Sequence, residues 1–359
     1  MLGELKEDKV LLGKAAIEEL YKSFGYGCPR GENLELSMVE AAYLLERDRI
    51  KIRHGGRELL FKDFFKIASQ LVRDFELKYI VYKDLRERGY YVQPGITDFR
   101  LYPRGGKPHE VSSEYLVHVA SERKSLPLAT LMELLNVARG MRKKLMLAIV
   151  DEESDLTYYE IGYFQAKERK KREIIVAREG EEREEREEQA TLLEDRVIIW
   201  NEELSKKLHY QQFFGKPLDE KRLQLSLIEA AYLIETGELE VRDRKGLTLS
   251  LEEFTKFAKQ LEPDFERKFL VYRDLRSKGF VVKTGFKFGN HFRVYEEIET
   301  VEDLPHSKYL VHALPAEHVF TLQDMSRAVR LSQSVRKRMI FAYPKNQGVE
   351  YIEIGRAKP

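Results

Sequence analysis

The chain has 359 residues, 43% of them apolar, which is too long for one ordinary domain and enough to build cores for about two to four. Its 62 Lys and Arg stand against 61 Asp and Glu, a formal charge of +1, so a nucleic-acid partner would need a local basic face rather than a basic protein. A single cysteine, Cys28, excludes an internal disulfide framework and a cysteine-rich zinc site; no apolar run reaches the ~18 residues of a membrane span, and the charged start "MLGELKEDKV" lacks a signal-peptide core, so a cytoplasmic protein with no membrane contact is expected.

Taken in chain order, the elements come twice. "LELSMVEAAYLLE" (Leu34 to Glu46) returns as "LQLSLIEAAYLIE" (Leu223 to Glu235), and both have the apolar spacing of an amphipathic helix. "YIVYKDLRERGYYVQPG" (Tyr79 to Gly95) returns as "FLVYRDLRSKGFVVKTG" (Phe269 to Gly285). "EYLVHV" (Glu114 to Val119) returns as "KYLVHA" (Lys308 to Ala313), and "VARGMRKKLMLAIVD" (Val137 to Asp151) as "AVRLSQSVRKRMIFAY" (Ala328 to Tyr343). Same blocks in the same order mean duplication. In the second copy, Ser250 is the expected N-cap of a helix that Pro263 interrupts, Gly279 follows as a stop, and Thr321 caps a later helix. "FVVKTG", "FRVYEEI", "YLVHAL", "RMIFAYP" and "VEYIEIGR" read as strands.

The expected fold is α/β (α+β): a tandem duplication of a two-lobe unit, each with an N-terminal α/β lobe and a C-terminal α/β lobe built on a mixed sheet. The boundaries read as 1–168 for the first unit, with lobes 1–76 and 77–168. The second unit spans 193–359, with lobes 193–266 and 267–359. Between them, 169–192 reads as a charged linker, because "EGEEREEREE" has no apolar periodicity.

The stretch "KTGFKFGNHFRVY" (Lys283 to Tyr295), followed by "LPHSKYLVH" (Leu304 to His312), gathers aromatics, cations and histidines without metal-ligand spacing or a phosphate loop. RNA can be cut without metal when its own 2′-hydroxyl attacks the phosphate; a base, an acid and a charge stabiliser suffice. Histidine is the natural acid near neutral pH, lysine a compact charge for phosphate, and tyrosine a base only where its phenolate is favoured. Tyr295, His306 and Lys337 supply one of each. The first copy keeps Tyr102 and Lys143 at the matching places but has Ser112 where the second has His306, and it lacks the "KFG" of Lys287 to Gly289. His318 competes with His306 for the acid role; His312 has a twin in His118, which argues for a structural role.

"VVKTGFKFGNHFRVY", "LPHSKYLVH" and "AVRLSQSVRKRMIFAY" together resemble the catalytic region of the archaeal tRNA-splicing endonucleases, in particular the class with two family units fused in one chain. The resemblance covers both copies and is most specific from Phe269 to Tyr343. It implies an RNA endonuclease (a tRNA-intron lyase) that cuts precursor tRNA at a bulge-helix-bulge. Cleavage would leave a 2′,3′-cyclic phosphate and a 5′-hydroxyl, with no cofactor and no metal. Carried over by motif, Tyr295 is the base, His306 the acid and Lys337 the charge stabiliser. The first unit would be a degraded structural copy, and two chains would pair as a homodimer. Asp151, Glu152, Glu153 and Asp155 would form an acidic loop that docks on the partner. Arg330 and Arg356 would sandwich a bulge base, with Lys287 and His291 near the RNA. The rival readings are a non-catalytic RNA-binding or assembly subunit and a metal-dependent nuclease.

Overall fold

The computed structural model describes residues 1–166, 190–296, 306–346 and 348–359. The chain divides into two compact units. One comprises Met1–Gly162 with Val319–Arg327 and Ile354–Pro359, the other Tyr163–His318 with Ala328–Glu353. The expected linker lies outside the described residues except for its last three, 190–192. These are a correction to the sequence reading: they belong to the strand Ala190–Leu193, which pairs with Arg196–Ile199 and with Val241–Arg242. Four residues abutting a charged run carry too little pattern to show that pairing from sequence.

In the first unit, a six-stranded sheet runs in the order Cys28–Arg30, Asn33–Ser37, Lys9–Leu12, Leu2–Lys6, Lys51–His54 and Arg57–Leu59. The helices Met38–Glu46, Phe61–Leu71 and Phe75–Glu87 follow, the first two on strands of this sheet. A second set of strands, Val92–Pro94, Phe99–Leu101, Tyr115–Ser121, Lys144–Val150 and Leu156–Tyr163, is mixed. Tyr115–Ser121 and Lys144–Val150 run parallel, with helix Leu128–Gly140 as the crossover between them, and the remaining pairs are antiparallel.

The second sequence copy, called the second unit from here on, repeats this plan, although its residues 319–327 and 354–359 are grouped with the first compact body. A five-stranded sheet includes Arg196–Ile199 and Leu223–Ser226, and helices Leu227–Glu235, Leu251–Leu261 and Phe265–Ser277 come next. The later strands follow in the order Val281–Thr284, Phe292–Tyr295, Tyr309–Ala313, Arg338–Lys345 and Gly348–Ala357. Tyr309–Ala313 and Arg338–Lys345 are again parallel around a helix, Leu322–Ser334. One continuous apolar core joins the helices to the sheets within the unit. Phe254, Ala258, Phe265, Val271 and Tyr272 meet Val282, Phe292 and Val294 there.

Local chemistry explains the helix ends. Ser37, Ser226 and Ser250 each begin a helix with a reciprocal capping box, through Glu40, Glu229 and Glu253. Thr321 Oγ1 accepts the N–H of Asp324 at 3.2 Å and starts the helix Leu322–Ser334. Gly279, at φ +83°, ends the helix Phe265–Ser277 in the left-handed conformation that glycine adopts without strain. Gly215 has φ +59°, and a Cβ there would meet the Gln224 carbonyl oxygen at 2.5 Å. Its N–H donates to Glu229 Oε1 at 2.9 Å, so this glycine lets the chain close on the buried carboxylate.

One histidine just before the strand Phe292–Tyr295 meets another on the strand Tyr309–Ala313. The rings of His291 and His312 stack with centroids 4.1 Å apart, and His291 Nδ1 accepts the N–H of Ala313 at 2.9 Å. In the first unit Asp98 fills the place of His291. It accepts from Val119 N–H at 2.8 Å and lies 2.9 Å from His118 Nδ1. Burial, and then the charge of the neighbouring histidine, hold His291 down to about 3; burial and His318 hold His312 down to about 4.

Two outcomes follow for stability. Gly215→Ala should destabilise the protein by about 1–3 kcal/mol through the strained φ and the carbonyl clash, read as a lower denaturant midpoint. Both histidines bind protons more weakly folded than unfolded, so their contribution is complete above about pH 6.5 and is lost as pH falls toward 4. The melting temperature should drop across that window, and His291→Asp, which recreates the Asp98–His118 arrangement, should lessen the drop.

Candidate active site

Tyr295 ends the strand Phe292–Tyr295. Phe292 and Val294 enter the core, so alternation turns Arg293 and Tyr295 to the other face. Tyr295 is only 4% exposed and packs with Phe213 and Val281. Lys337 follows the helix Leu322–Ser334. Arg336 takes φ +56°, and the Lys337 N–H donates back to the Ser332 carbonyl at 2.8 Å. This reversal points Lys337 inward, where it is 8% exposed and its Nζ donates to the carbonyl of Ser307 at 2.8 Å. Lys337 is therefore bonded to the residue next to His306, and His306 itself is exposed. Burial, and then the Arg293 charge, push the Lys337 ammonium below its ordinary value.

The three side chains line one cavity of about 1030 Å³. Its wall also carries Arg196, Lys216, Lys283 and Arg293, against the acids Asp195 and Glu229. Cations outnumber acids, which suits a phosphate. Sequence reasoning missed Lys283, Arg293 and His209 as wall residues, and also Phe286 and Phe288. His209 Nδ1 lies 3.0 Å from the Phe214 carbonyl, and the Lys337 Nζ is 5.5 Å from the Phe288 ring centroid. One signal was present: Lys283 is Gln93 in the first copy.

Other expected residues lie elsewhere. His291 and His312 belong to the part-buried stack, outside the wall of this cavity, and His291 lines a second cavity of about 410 Å³. His318 is outside the cavity wall, as are Lys287 and Arg330, both exposed. Arg356 falls in the other compact unit. The acids Asp151, Glu152, Glu153 and Asp155 form the turn between Lys144–Val150 and Leu156–Tyr163. Asp151 Oδ1 accepts the N–H groups of Glu153 and Asp155 at 2.9 and 2.8 Å, and Glu152 pairs with Arg123 at 2.8 Å. Glu152, Glu153 and Asp155 are all exposed.

In the first unit Tyr102 is buried, as Tyr295 is, but its hydroxyl donates to Gln93 Oε1 at 2.9 Å. Ser112 is exposed where His306 stands in the second unit. Among the described residues no group of three or more His, Cys, Asp or Glu is placed to hold a metal ion, and no helix is long and apolar enough to cross a membrane.

The model of the tRNA intron endonuclease catalytic C-terminal domain matches residues 75–158 and again 265–351. That of the tRNA intron endonuclease N-terminal domain matches 1–65 and 189–255. Among archaeal relatives, a tRNA-splicing endonuclease of Methanococcoides burtonii is 49% identical over 358 residues, covering 100% of both chains. One of Methanosarcina mazei is 50% identical over 355 residues, 99% of this chain and 98% of the relative. One of Haloferax volcanii is 35% identical over 380 aligned positions, 100% of both. The chain belongs to the tRNA intron endonuclease family, and carries both of that family's domains twice.

Proposed function

We propose that this chain is a tRNA-splicing endonuclease that cuts precursor tRNA at the intron boundaries of a bulge-helix-bulge by metal-independent transesterification. The observation that carries the reading is the cavity shared by Tyr295, His306 and Lys337, with Lys337 Nζ bonded to the carbonyl beside His306. Tyr295, as phenolate, takes the 2′-hydroxyl proton. The 2′-oxygen forms its bond to phosphorus while the bond from phosphorus to the 5′-oxygen breaks. His306 gives that leaving oxygen its proton, and Lys337 carries the extra negative charge of the phosphorane. The products end in a 2′,3′-cyclic phosphate and a 5′-hydroxyl.

The second unit does the chemistry in this reading. The first is structural, since Ser112 cannot act as the acid and the Tyr102 proton is held by Gln93. Two chains work as a homodimer, with the acidic turn Asp151 to Asp155 as its docking element. Arg330 contacts the bulge; Lys287 and Arg356 are further candidates for RNA contact.

The first test mixes the protein with an end-labelled bulge-helix-bulge RNA in excess chelator. Cleavage to a 2′,3′-cyclic phosphate, abolished by a 2′-deoxy nucleotide at the cut site, is the expected result. Tight binding with no cleavage, with or without metal, would leave the rival reading of an RNA-binding assembly subunit. Cleavage that only metal restores would mean a metal-dependent nuclease.

Substitutions separate the roles. His306→Ala should slow cleavage by about 10²–10⁴-fold with RNA affinity retained. Lys337→Ala should cost about 10²–10³-fold. Ser112→Ala should leave the rate unchanged. Single-turnover cleavage and RNA titration read all three.

A further inference from the structure

The two units hold an internal comparison at one position beside the tyrosine. In the first unit Gln93 lies at the mouth of a glycine turn. Its Nε2 donates to the carbonyls of Gly25 and Gly27 at 3.4 and 3.5 Å, and its Oε1 accepts the Tyr102 hydroxyl at 2.9 Å. In the second unit the same position is Lys283, whose Nζ donates to the carbonyl of Gly215 at 2.8 Å. Gly27 and Gly215 correspond, since each gives its N–H to the glutamate of a capping box, Glu40 and Glu229. The tip of this side chain therefore reaches the same glycine carbonyl in both units. In the first it also reaches the tyrosine oxygen.

The strand register leads to the same place. Val281 pairs with Tyr295 and Lys283 with Arg293. Lys283 is two residues from Val281, on the same face, and so is a diagonal neighbour of Tyr295, a spacing of about 7–8 Å that a long side chain spans. Lys283 and Tyr295 line the same cavity. The lysine is part-buried, bonded to the Gly215 carbonyl and held at 3.5 Å from Glu229 Oε1, so its position is fixed.

We propose that Lys283 is a positioning residue for Tyr295, a fixed cation that favours the ionised phenol. This rests on the reading of Tyr295 as the base. The amide in the first unit supplies no charge: its Oε1 accepts the Tyr102 hydroxyl, and burial pushes that phenol up even though Arg100 acts the other way. Loss of function in the first unit thus has two parts, Ser112 in place of the acid and Gln93 in place of the cation. A phenol starts near pKa 10, and a neighbouring cation lowers the cost of its charged form.

The test is the pH–rate profile of single-turnover cleavage of a bulge-helix-bulge RNA by the full chain, with RNA affinity measured alongside. Lys283→Gln installs the residue that the first unit already accommodates, and Lys283→Met is a second neutral variant should the first fail to fold. The expected result is that the more alkaline inflection moves up by about one pH unit, and rates below it fall about tenfold while RNA affinity stays within about twofold. Lys283→Arg, which keeps the charge, should restore the wild-type inflection. An unmoved inflection in a folded neutral variant overturns the proposal, whatever the rate, and so does an equal shift in Lys283→Arg. Tyr295→Phe distinguishes the two levels. If it cleaves like wild type, the base reading itself fails. If it is inactive while Lys283→Gln keeps its inflection, only the role of Lys283 fails.

Discussion

The carboxylate of Glu229 is the constraint on which the second unit depends. One oxygen accepts the N–H and hydroxyl of Ser226 at 3.0 and 2.9 Å and so starts the helix Leu227–Glu235. The other accepts the N–H of Gly215 at 2.9 Å and faces the Lys283 ammonium at 3.5 Å. A single buried acid thus fixes a helix start, a left-handed turn and a cation on a strand of the later sheet. Burying a charge is costly unless it is paired and hydrogen-bonded, and here every requirement is met by groups that the fold also needs.

The first unit keeps the same frame without the lysine. Glu40 accepts from Ser37 and from Gly27 just as Glu229 does from its counterparts, but the position of Lys283 is held by Gln93, and the cation whose charge acts on Glu40 is Arg86. The two carboxyls respond in opposite directions. Burial wins at Glu40 and pushes it up. At Glu229 burial also pushes up, but Lys283 and the backbone N–H groups outweigh it and hold the group down. Duplication preserved the bonds that build the unit, while the side chains facing the cavity diverged.

The same division appears around Lys337. The turn that points it inward exists in both units: Arg142 has φ +57° and the Lys143 N–H bonds the Ala138 carbonyl at 2.8 Å, as Arg336 and Lys337 do with Ser332. Backbone geometry is inherited as a scaffold. What differs is the environment at its tip. Lys337 is buried against the Ser307 carbonyl and the Phe288 ring, and Phe288 belongs to the "KFG" stretch that the first copy lacks.

The sequence by itself determined the duplication, the mixed architecture, the helix starts at Ser250 and Thr321, and the stop at Gly279. These depend on contacts between residues close in the chain, so spacing and residue type suffice. It also named Tyr295, His306 and Lys337, because a multi-block resemblance carried what no single residue could. Only the tertiary structure decided which side chains share the cavity. His291 looked as near to the site as Tyr295, yet its ring is stacked on His312 because neighbouring strands bring the two together. Lys283, Arg293 and His209 looked ordinary, yet pairing between Val281–Thr284 and Phe292–Tyr295 and the closing of the Gly215 turn bring them to one wall. The strand Ala190–Leu193 likewise could not be separated from the charged run before it. Its identity comes from partners at 196–199 and 241–242, and hydrogen bonds between distant segments leave no period in the sequence of either one.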